Sequence, residues 1–236
     1  MNQSCLYNDK ESIELAKNFL DKISYGFIVS NQEYTKAIDY IESKFDLDSN
    51  HLNTIILLSD GAYYKDFHQD HEKISNICKK NKNLFQLYTV TASQDNYLGA
   101  LDMIAFHNHG NLLYSKTNVA LPRQLAILVK NLKNPIASQL FLSAIRNESN
   151  TVEFFSRPDQ MPAFFADQPF VIYGKTDRLQ NIDLMLQGKV EAEWINISQT
   201  INLRQAKPGD RELLRTCQTL EKKLNYFTDK DNNDET

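Results

Sequence analysis

One acidic residue follows an apolar run in a position where it could hold a metal ion. Residues 55–58 are four consecutive apolar residues, and Ser59, Asp60 and Gly61 come directly after them. A carboxylate at the carboxyl end of a parallel strand points into the crevice where open α/β sheets bind ligands. Because magnesium normally takes one or two carboxylates with neighbouring hydroxyls and waters, Asp60 is the candidate metal ligand. Alternatively, Asp60 caps the turn and Gly61 supplies a backbone conformation closed to other residues.

We favour the turn interpretation of Asp60, because a single carboxylate is a poor chelator, and we expect weak or no magnesium binding. Two histidine pairs could also share a metal ion, His68 with His71 and His107 with His109. A helical pair with no third ligand is usually a solvated face, and a helix terminus places imidazoles beside the helix dipole. We therefore expect no cofactor beyond, at most, a weakly bound magnesium ion.

The sequence contains no recognisable arrangement for hydrolysis. It has no Gly-x-Ser-x-Gly elbow, no phosphate-binding glycine loop and no cysteine in a catalytic context. We expect that the protein is not an enzyme. The alternative is a metal-dependent hydrolase that uses Asp60 with His68 or Asp102.

The composition excludes other classes of function. The 236 residues are 42% hydrophobic, enough for a packed core, and the net charge of −4 argues against a nucleic-acid partner. Three widely spaced cysteines, Cys5, Cys78 and Cys217, predict neither disulfides nor zinc. No basic, apolar leader and no run of eighteen uncharged apolar residues is present, so the chain as written is predicted to be cytoplasmic, without a membrane span.

The elements that would position these residues alternate between helix and strand in the first part of the chain. The apolar run at 55–58 has the pattern of an interior strand of a parallel sheet. Asn8 and Glu11 have capping-box spacing at the start of the first helix, and Gly110 is the expected left-handed terminator of another. This alternation predicts a mostly parallel sheet with helices on both faces. The predicted helices cover 8–24, 32–45, 66–82, 95–110 and 119–134, and the strands 55–58, 84–90 and 111–115.

After Pro135 the pattern changes to short strands separated by Asn, Asp, Pro and Gly, which predicts a small antiparallel sheet or sandwich. Trp194 is the expected anchor between the sheet faces. A final helix carries an apolar stripe that either docks on its own domain, which we favour, or receives a partner helix. The predicted strands cover 138–145, 151–155, 169–174, 182–190 and 194–203, and the stripe contains Leu213, Cys217, Leu220, Leu224 and Phe227.

Several stretches between residues 53 and 188 resemble, in order and spacing, a von Willebrand factor A domain followed by the β-rich segment of inter-alpha-trypsin inhibitor heavy chains and their bacterial relatives. "IILLSDG" resembles the central strand of that family, and "LFQLYTVTASQDNYLGALDMIAFHNHGNLLY" the strand, helix and short strand that follow it. "LKNPIASQLFLSAI" resembles the exit from the A domain, and "MPAFFADQPFVIYGKT" the phrase within the β-rich segment. The resemblance implies a partial, Rossmann-like A domain over residues 1–134 and a β-rich segment over 135–205. The residue pattern itself predicts an amphipathic helix over 206–228 and a disordered acidic tail over 229–236.

The resemblance also implies a degenerate metal-ion-dependent adhesion site. It assigns Asp60 to the third metal loop, but the Asp-x-Ser-x-Ser motif of the opening strand does not occur in this sequence. The place of the family threonine falls on Ser30, Gln32 or Thr35, and the sequence does not choose between them. We expect weak or no metal binding at this site.

The chain thus resembles an A-domain protein that lacks its opening strands, which would leave one sheet edge uncovered. Either another polypeptide supplies the missing strands, or residues 25–30, which are apolar enough for a strand, fill part of the gap. We expect a non-enzymatic protein-protein interaction module with a protein partner. The alternative is a fragment of a split protein that an upstream chain completes, and a full-length relative could be exported.

Overall fold

A computed structural model of the chain describes residues 7–22, 34–44, 47, 51–61, 71–81, 84–92, 97–145, 152–155, 161–166, 169–190 and 193–226. The chain divides into two units, Met1–Asp48 and Ser49–Thr236. The boundaries that we place after residues 134, 205 and 228 stay predictions. None of the described helices is both long and apolar enough to cross a membrane.

The first unit contributes two described helices, α1 (Lys10–Asp21) and α2 (Tyr34–Lys44). Asp9 caps α1, since the Ser12 amide donates to Asp9 Oδ1 at 2.7 Å, and this hydrogen bond lowers the pKa of the Asp9 carboxyl. The predicted pairing of Asn8 with Glu11 is therefore wrong by one residue. The Asp9 carboxylate, one position after Asn8, accepts the hydrogen bond of the Ser12 amide, which has no acceptor within the helix.

The two helices of the first unit differ in how far they bury their apolar side chains. None of the described residues of α1 is buried, and Ile13 and Leu20 are 44% and 60% exposed. Ile38 of α2 is only 3% exposed. The apolar side chains Ile13 and Leu20 of α1 are therefore largely open to solvent.

The second unit begins with a three-stranded parallel sheet of β1 (Asn53–Leu58), β2 (Phe85–Ala92) and β3 (Leu112–Ser115), in the order β1-β2-β3. Helices follow each strand: α3 (His71–Lys80), α4 (Leu98–His107) and α5 (Leu121–Asn131). The predicted α/β fold class, with a parallel sheet flanked by helices, is confirmed.

Strand β2 forms the interior of this sheet in the described part of the chain. Its first seven residues are buried, and the Thr89 hydroxyl donates to the Leu101 carbonyl of α4 at 3.0 Å, which places α4 on the Thr89 side of the sheet. Ile74 and Ile77 of α3, which contacts α4, are completely buried. By contrast, β1, which we predicted to be interior, is the last strand of the described sheet.

The end of α4 forms a tight reversal that returns the chain to β3. The Gly110 amide donates to the Ala105 carbonyl at 3.0 Å, the hydrogen bond of a Schellman motif. The left-handed residue is His109, with φ of 62°, rather than the predicted Gly110. Gly110 is needed for a different reason, because a Cβ there would lie 2.0 Å from the Leu87 carbonyl oxygen.

The β-rich segment contains two antiparallel sheets. The strands are β4 (Pro135–Ile145), β5 (Val152–Phe154), β6 (Phe164–Phe165), β7 (Gly174–Thr176), β8 (Asn181–Val190) and β9 (Glu193–Asn202). The larger sheet has the order β6-β4-β8-β9, and β5 pairs with β7. The predicted strand at 169–174 is wrong: β7 begins only at Gly174, while Phe170 and Ile172 pack against the apolar cluster of the larger sheet.

The apolar cluster lies on one face of the larger sheet and is built around Leu140, Leu142 and Met161. A Cβ at Gly188 of β8 would lie 2.5 Å from a methyl carbon of Leu140, so glycine allows β4 and β8 to approach there. Ile195 of β9 packs against this cluster. Because strand residues alternate in direction, Trp194 points away from it and is 62% exposed, so the predicted anchoring role of Trp194 is wrong.

The last described element is α6 (Arg211–Asn225), which follows a short 3-10 turn at Leu203–Gln205. Asp210 caps α6, because the Leu213 amide donates to Asp210 Oδ1 at 2.8 Å. The predicted acidic tail at 229–236 lies outside the described residues.

Candidate functional site

The turn after β1 carries the predicted metal ligand and has a defined backbone geometry. The Ser59 amide donates to the Val90 carbonyl at 3.1 Å, which extends the ladder to β2 by one residue. The Ser59 hydroxyl then accepts from the Gly61 amide at 3.0 Å. The Asp60 carbonyl accepts from the Tyr97 amide at 3.0 Å, at the start of α4. The turn thus joins the carboxyl end of β1 to the first residues of α4.

Gly61 can be only glycine in this turn. Its φ of 74° lies in the left-handed region, and a Cβ there would lie 2.7 Å from the Tyr97 carbonyl oxygen. The expectation that Gly61 supplies a conformation closed to other residues is confirmed. The Ser59 hydroxyl, however, accepts the hydrogen bond that closes the turn, and we did not predict this role for Ser59.

Asp60 lies at the carboxyl end of β1, as predicted, and its side chain is exposed. Among the described residues, no group of three or more His, Cys, Asp and Glu side chains could hold a metal ion. Ser30 and Gln32 lie outside the described residues, and Thr35 lies in α2 with a side chain outside them. The role of Asp60 as a weak metal ligand stays a prediction.

The four histidines of the predicted pairs lie in different settings. His68 lies outside the described residues, and His71 begins α3 with a side chain outside them. His107 and His109 are both 7% exposed at the end of α4. His107 Nε2 lies 3.1 Å from the Lys223 carbonyl oxygen, so this ring contacts the last turn of α6 rather than only the end of its own helix.

A two-point contact holds the end of α6 against α4. Lys223 Nζ lies 2.6 Å from Asp102 Oδ2 and 5.4 Å from the centre of the Phe106 ring, while the Lys223 carbonyl meets His107. A second ion pair joins Lys175 Nζ to Glu221 Oε1 at 2.7 Å and raises the pKa of Lys175. The predicted docking of the final helix on its own domain is confirmed for its carboxyl half.

The docking of α6 closes one side of a cavity of about 140 Å³ between the end of α4 and the β-rich segment. Aromatic and aliphatic side chains dominate its lining, with the two imidazoles of the α4 terminus on one side. Such a lining suits an apolar group and offers no clustered cations for a phosphate. Its main lining residues are Phe106, Phe155, Met161, Tyr173, Leu220 and Leu224.

The sequence did not predict Lys223 as a contact residue, nor the pairing of Asp102 with it. Lys223 sits one residue before Leu224 in the apolar stripe, and no local pattern distinguishes it from Lys222. The sequence feature that could have indicated this contact is the spacing of Asp102 and Phe106, which lie one turn apart on α4 and both face the Lys223 ammonium.

Comparisons with known proteins bear on the fold. Neither protein-family models nor curated proteins match the sequence. A solved von Willebrand factor type A structure from Catenulispora acidiphila matches 85% of this chain and 53% of its own, with a TM-score of 0.59 and 14% identity. The ArnB paralog VWA2 from Sulfolobus acidocaldarius matches 88% of this chain and 55% of its own, with a TM-score of 0.50 and 18% identity.

These two likenesses establish the fold alone, since both identities are low. The chain shares the fold of the von Willebrand factor A structures and spans about half the length of each. The closer resemblance to inter-alpha-trypsin inhibitor heavy chains stays a prediction.

Proposed function

We propose that this chain is a non-enzymatic protein-interaction module in which β1 receives a strand from another polypeptide. We call the side of β1 that faces away from β2 the outer side of β1. The observation that supports the proposal most directly is the burial difference between the two strands. Ile55, Ile56 and Leu57 are only half-buried and Leu58 is 60% exposed, whereas nearly all of β2 is buried.

The chemistry of β1 suits a strand partner. Residues 54–58 are apolar except for Thr54, the composition of a strand with a neighbour on each side. In the described part of the chain no strand pairs with the outer side of β1. The outward backbone groups of an edge strand are a template for pairing, and an added strand gains main-chain hydrogen bonds and side-chain contacts together.

In this proposal the adhesion site is degenerate and does not bridge the partner through a metal. Asp60 is an exposed carboxylate in a turn closed by Ser59, and the sequence lacks the Asp-x-Ser-x-Ser motif. Asp102, the other carboxylate of the hydrolase alternative, is engaged by Lys223 at 2.6 Å. These contacts favour a binding role over a metal-dependent hydrolase.

A second candidate function is that of one part of a split A-domain protein. The observation that favours it is again β1, whose residues Ile55, Ile56 and Leu57 are only half-buried at the end of the described parallel sheet. Here the partner would be a polypeptide that supplies the opening strands of the A-domain sheet. The two candidates share the outer side of β1 and differ in the identity of the chain that occupies it.

Site-specific photocrosslinking in cells tests the proposal. The photoreactive residue p-benzoylphenylalanine replaces Leu58 in one variant and Val119, which is 90% exposed and outside every strand, in the control. We expect a discrete adduct with one protein from position 58 and none from position 119. Mass spectrometry of the adduct then distinguishes an opening-strand polypeptide from another partner. Equal yields from both positions, or none from position 58, would refute the proposal.

A further inference from the structure

A second strand edge lies in the larger antiparallel sheet, at β9. β9 pairs with β8 over all ten residues, from Asn181 opposite Asn202 to Val190 opposite Glu193. In the order β6-β4-β8-β9 it is the last strand, and in the described part of the chain nothing pairs with its other side. We call that side the outer edge of β9. The ten residues of β9 pair with β8 without a bulge.

The outer edge of β9 lacks the features that keep exposed strands apart. β9 contains no proline and no lysine, and its only charged residue is Glu193 at one end. Short length, bulges, proline and charged side chains are the usual protections of edge strands. Apolar side chains are exposed along the strand instead, with Ile197 49%, Ile201 36% and Trp194 62% exposed. Such an edge suits a strand partner with matching side chains.

We propose that β9 pairs antiparallel with β9 of a second copy of this chain, about a two-fold axis at Gln199. Directly opposed residues in a continuous antiparallel sheet point to the same face, so the two positions must be both odd or both even. Centring the pair on Gln199 meets this condition and matches side chains along the strand. It places Ile197 opposite Ile201, Ser198 opposite Thr200, and Gln199 opposite its own copy.

The charges at the two ends of the edge favour the same antiparallel arrangement. Glu193 begins β9, and Arg204 lies just beyond its end at Asn202. Antiparallel pairing brings Glu193 of each copy to the end that carries Arg204 of the other, whereas parallel pairing would place like charges together. Apolar cross-strand pairs and opposite charges both stabilise neighbouring strands. The strand is therefore complementary to itself in apolar pattern and charge.

Charge substitution at the two-fold axis tests the dimer. Gln199 is exposed in the single chain, so Gln199→Lys and Gln199→Glu leave the fold intact but put like charges directly opposite each other. Analytical ultracentrifugation at about 100 µM should find a dimer for the unmodified chain and dissociation at least roughly tenfold easier for each variant. An equimolar mixture of the two variants should form the dimer again. Val119→Lys adds the same charge elsewhere and should remain dimeric.

Cysteine crosslinking fixes the register. In a background with Cys5, Cys78 and Cys217 replaced by serine, Gln199→Cys should form a disulfide-linked dimer on mild oxidation. Glu193→Cys should not, because in this register its two copies lie about 40 Å apart at roughly 3.3 Å per residue. A monomeric unmodified chain, a dimer that survives Gln199→Lys, or crosslinking at position 193 instead of 199 would each overturn the proposal.

Discussion

Replacing Gly110 with alanine is a severe perturbation, since backbone atoms of β2 lie directly against it. The added Cβ would lie 2.0 Å from the Leu87 carbonyl oxygen and 2.6 Å from its carbonyl carbon. Carbon and oxygen atoms that are not bonded need about 3.2 Å, so the α4 terminus and β2 must separate by about 1 Å in a close-packed interior. Neither neighbour is a flexible side chain that could turn away.

Two costs add up for Gly110→Ala. The Leu87 amide donates to the Asn108 carbonyl at 2.9 Å, and Leu87 is 1% exposed, so the displacement leaves a buried donor at a cost of about 1–3 kcal/mol. Forcing extra volume into a packed core costs about 1–3 kcal/mol more. The total of about 2–6 kcal/mol is a large share of the roughly 5–15 kcal/mol that stabilises a typical domain. In a protein of this size it lowers Tm by roughly 5–20 °C.

Thermal unfolding followed by circular dichroism measures this change, and Gly99→Ala is its matched control. Gly99 is exposed in the first turn of α4, and a Cβ there meets nothing within 4 Å. Alanine should stabilise the helix at this position by about 0.5–1 kcal/mol. The same substitution therefore has opposite signs eleven residues apart. A Gly110→Ala variant that melts with the unmodified chain would refute the account of the α4 terminus.

Three further predictions concern α6, β2 and the turn after β1. Lys223→Ala should lower the free energy of unfolding by about 1–2 kcal/mol and speed proteolysis of α6, because Lys223 contacts Asp102 and Phe106. The control Lys222→Ala, at an exposed neighbouring position, should change neither. Burial raises the pKa of Tyr88 from 10.0 to about 12. The unfolded chain therefore ionises this tyrosine first, and about 2–3 kcal/mol of the free energy of unfolding, complete below pH 10, is lost as the pH rises to about 12. Denaturant titrations at each pH should show a smaller loss in Tyr88→Phe. Magnesium titration calorimetry should give a Kd weaker than about 0.1 mM, or no binding at all. A tighter affinity that Asp60→Ala abolishes would contradict the turn interpretation.

Local periodicity was enough to predict most of the elements of the second unit. β2, β3, β8 and β9 occur close to their predicted ranges, because runs of β-branched and aromatic residues bounded by turn residues have few alternatives. The position of Asp60 at the carboxyl end of a parallel strand followed from the same pattern. The left-handed conformation of Gly61 followed from its place directly after that strand.

The predictions that were wrong concern positions where tertiary contacts override local conformational preference. Glycine is the usual left-handed residue at a helix end, but here His109 has that conformation. Position 110 requires glycine because the Leu87 backbone leaves no room for a Cβ. Phe170 and Ile172 have strand-like side chains, yet they serve the apolar cluster rather than a ladder. The contact between Lys223 and Asp102 joins residues far apart in sequence, so no local pattern contains it.

Amide hydrogen exchange along β1 tests the central claim, that the outer side of this strand is open for a partner. In a strand paired on one side only, alternate amides point away from the neighbour and exchange fast. We predict fast exchange at alternate positions within residues 54–58, slow exchange throughout β2, and protection of the fast β1 amides when the crosslinked partner is added. Uniformly slow exchange in β1 of the isolated chain would mean that another part of the chain already occupies this edge, which would contradict the account.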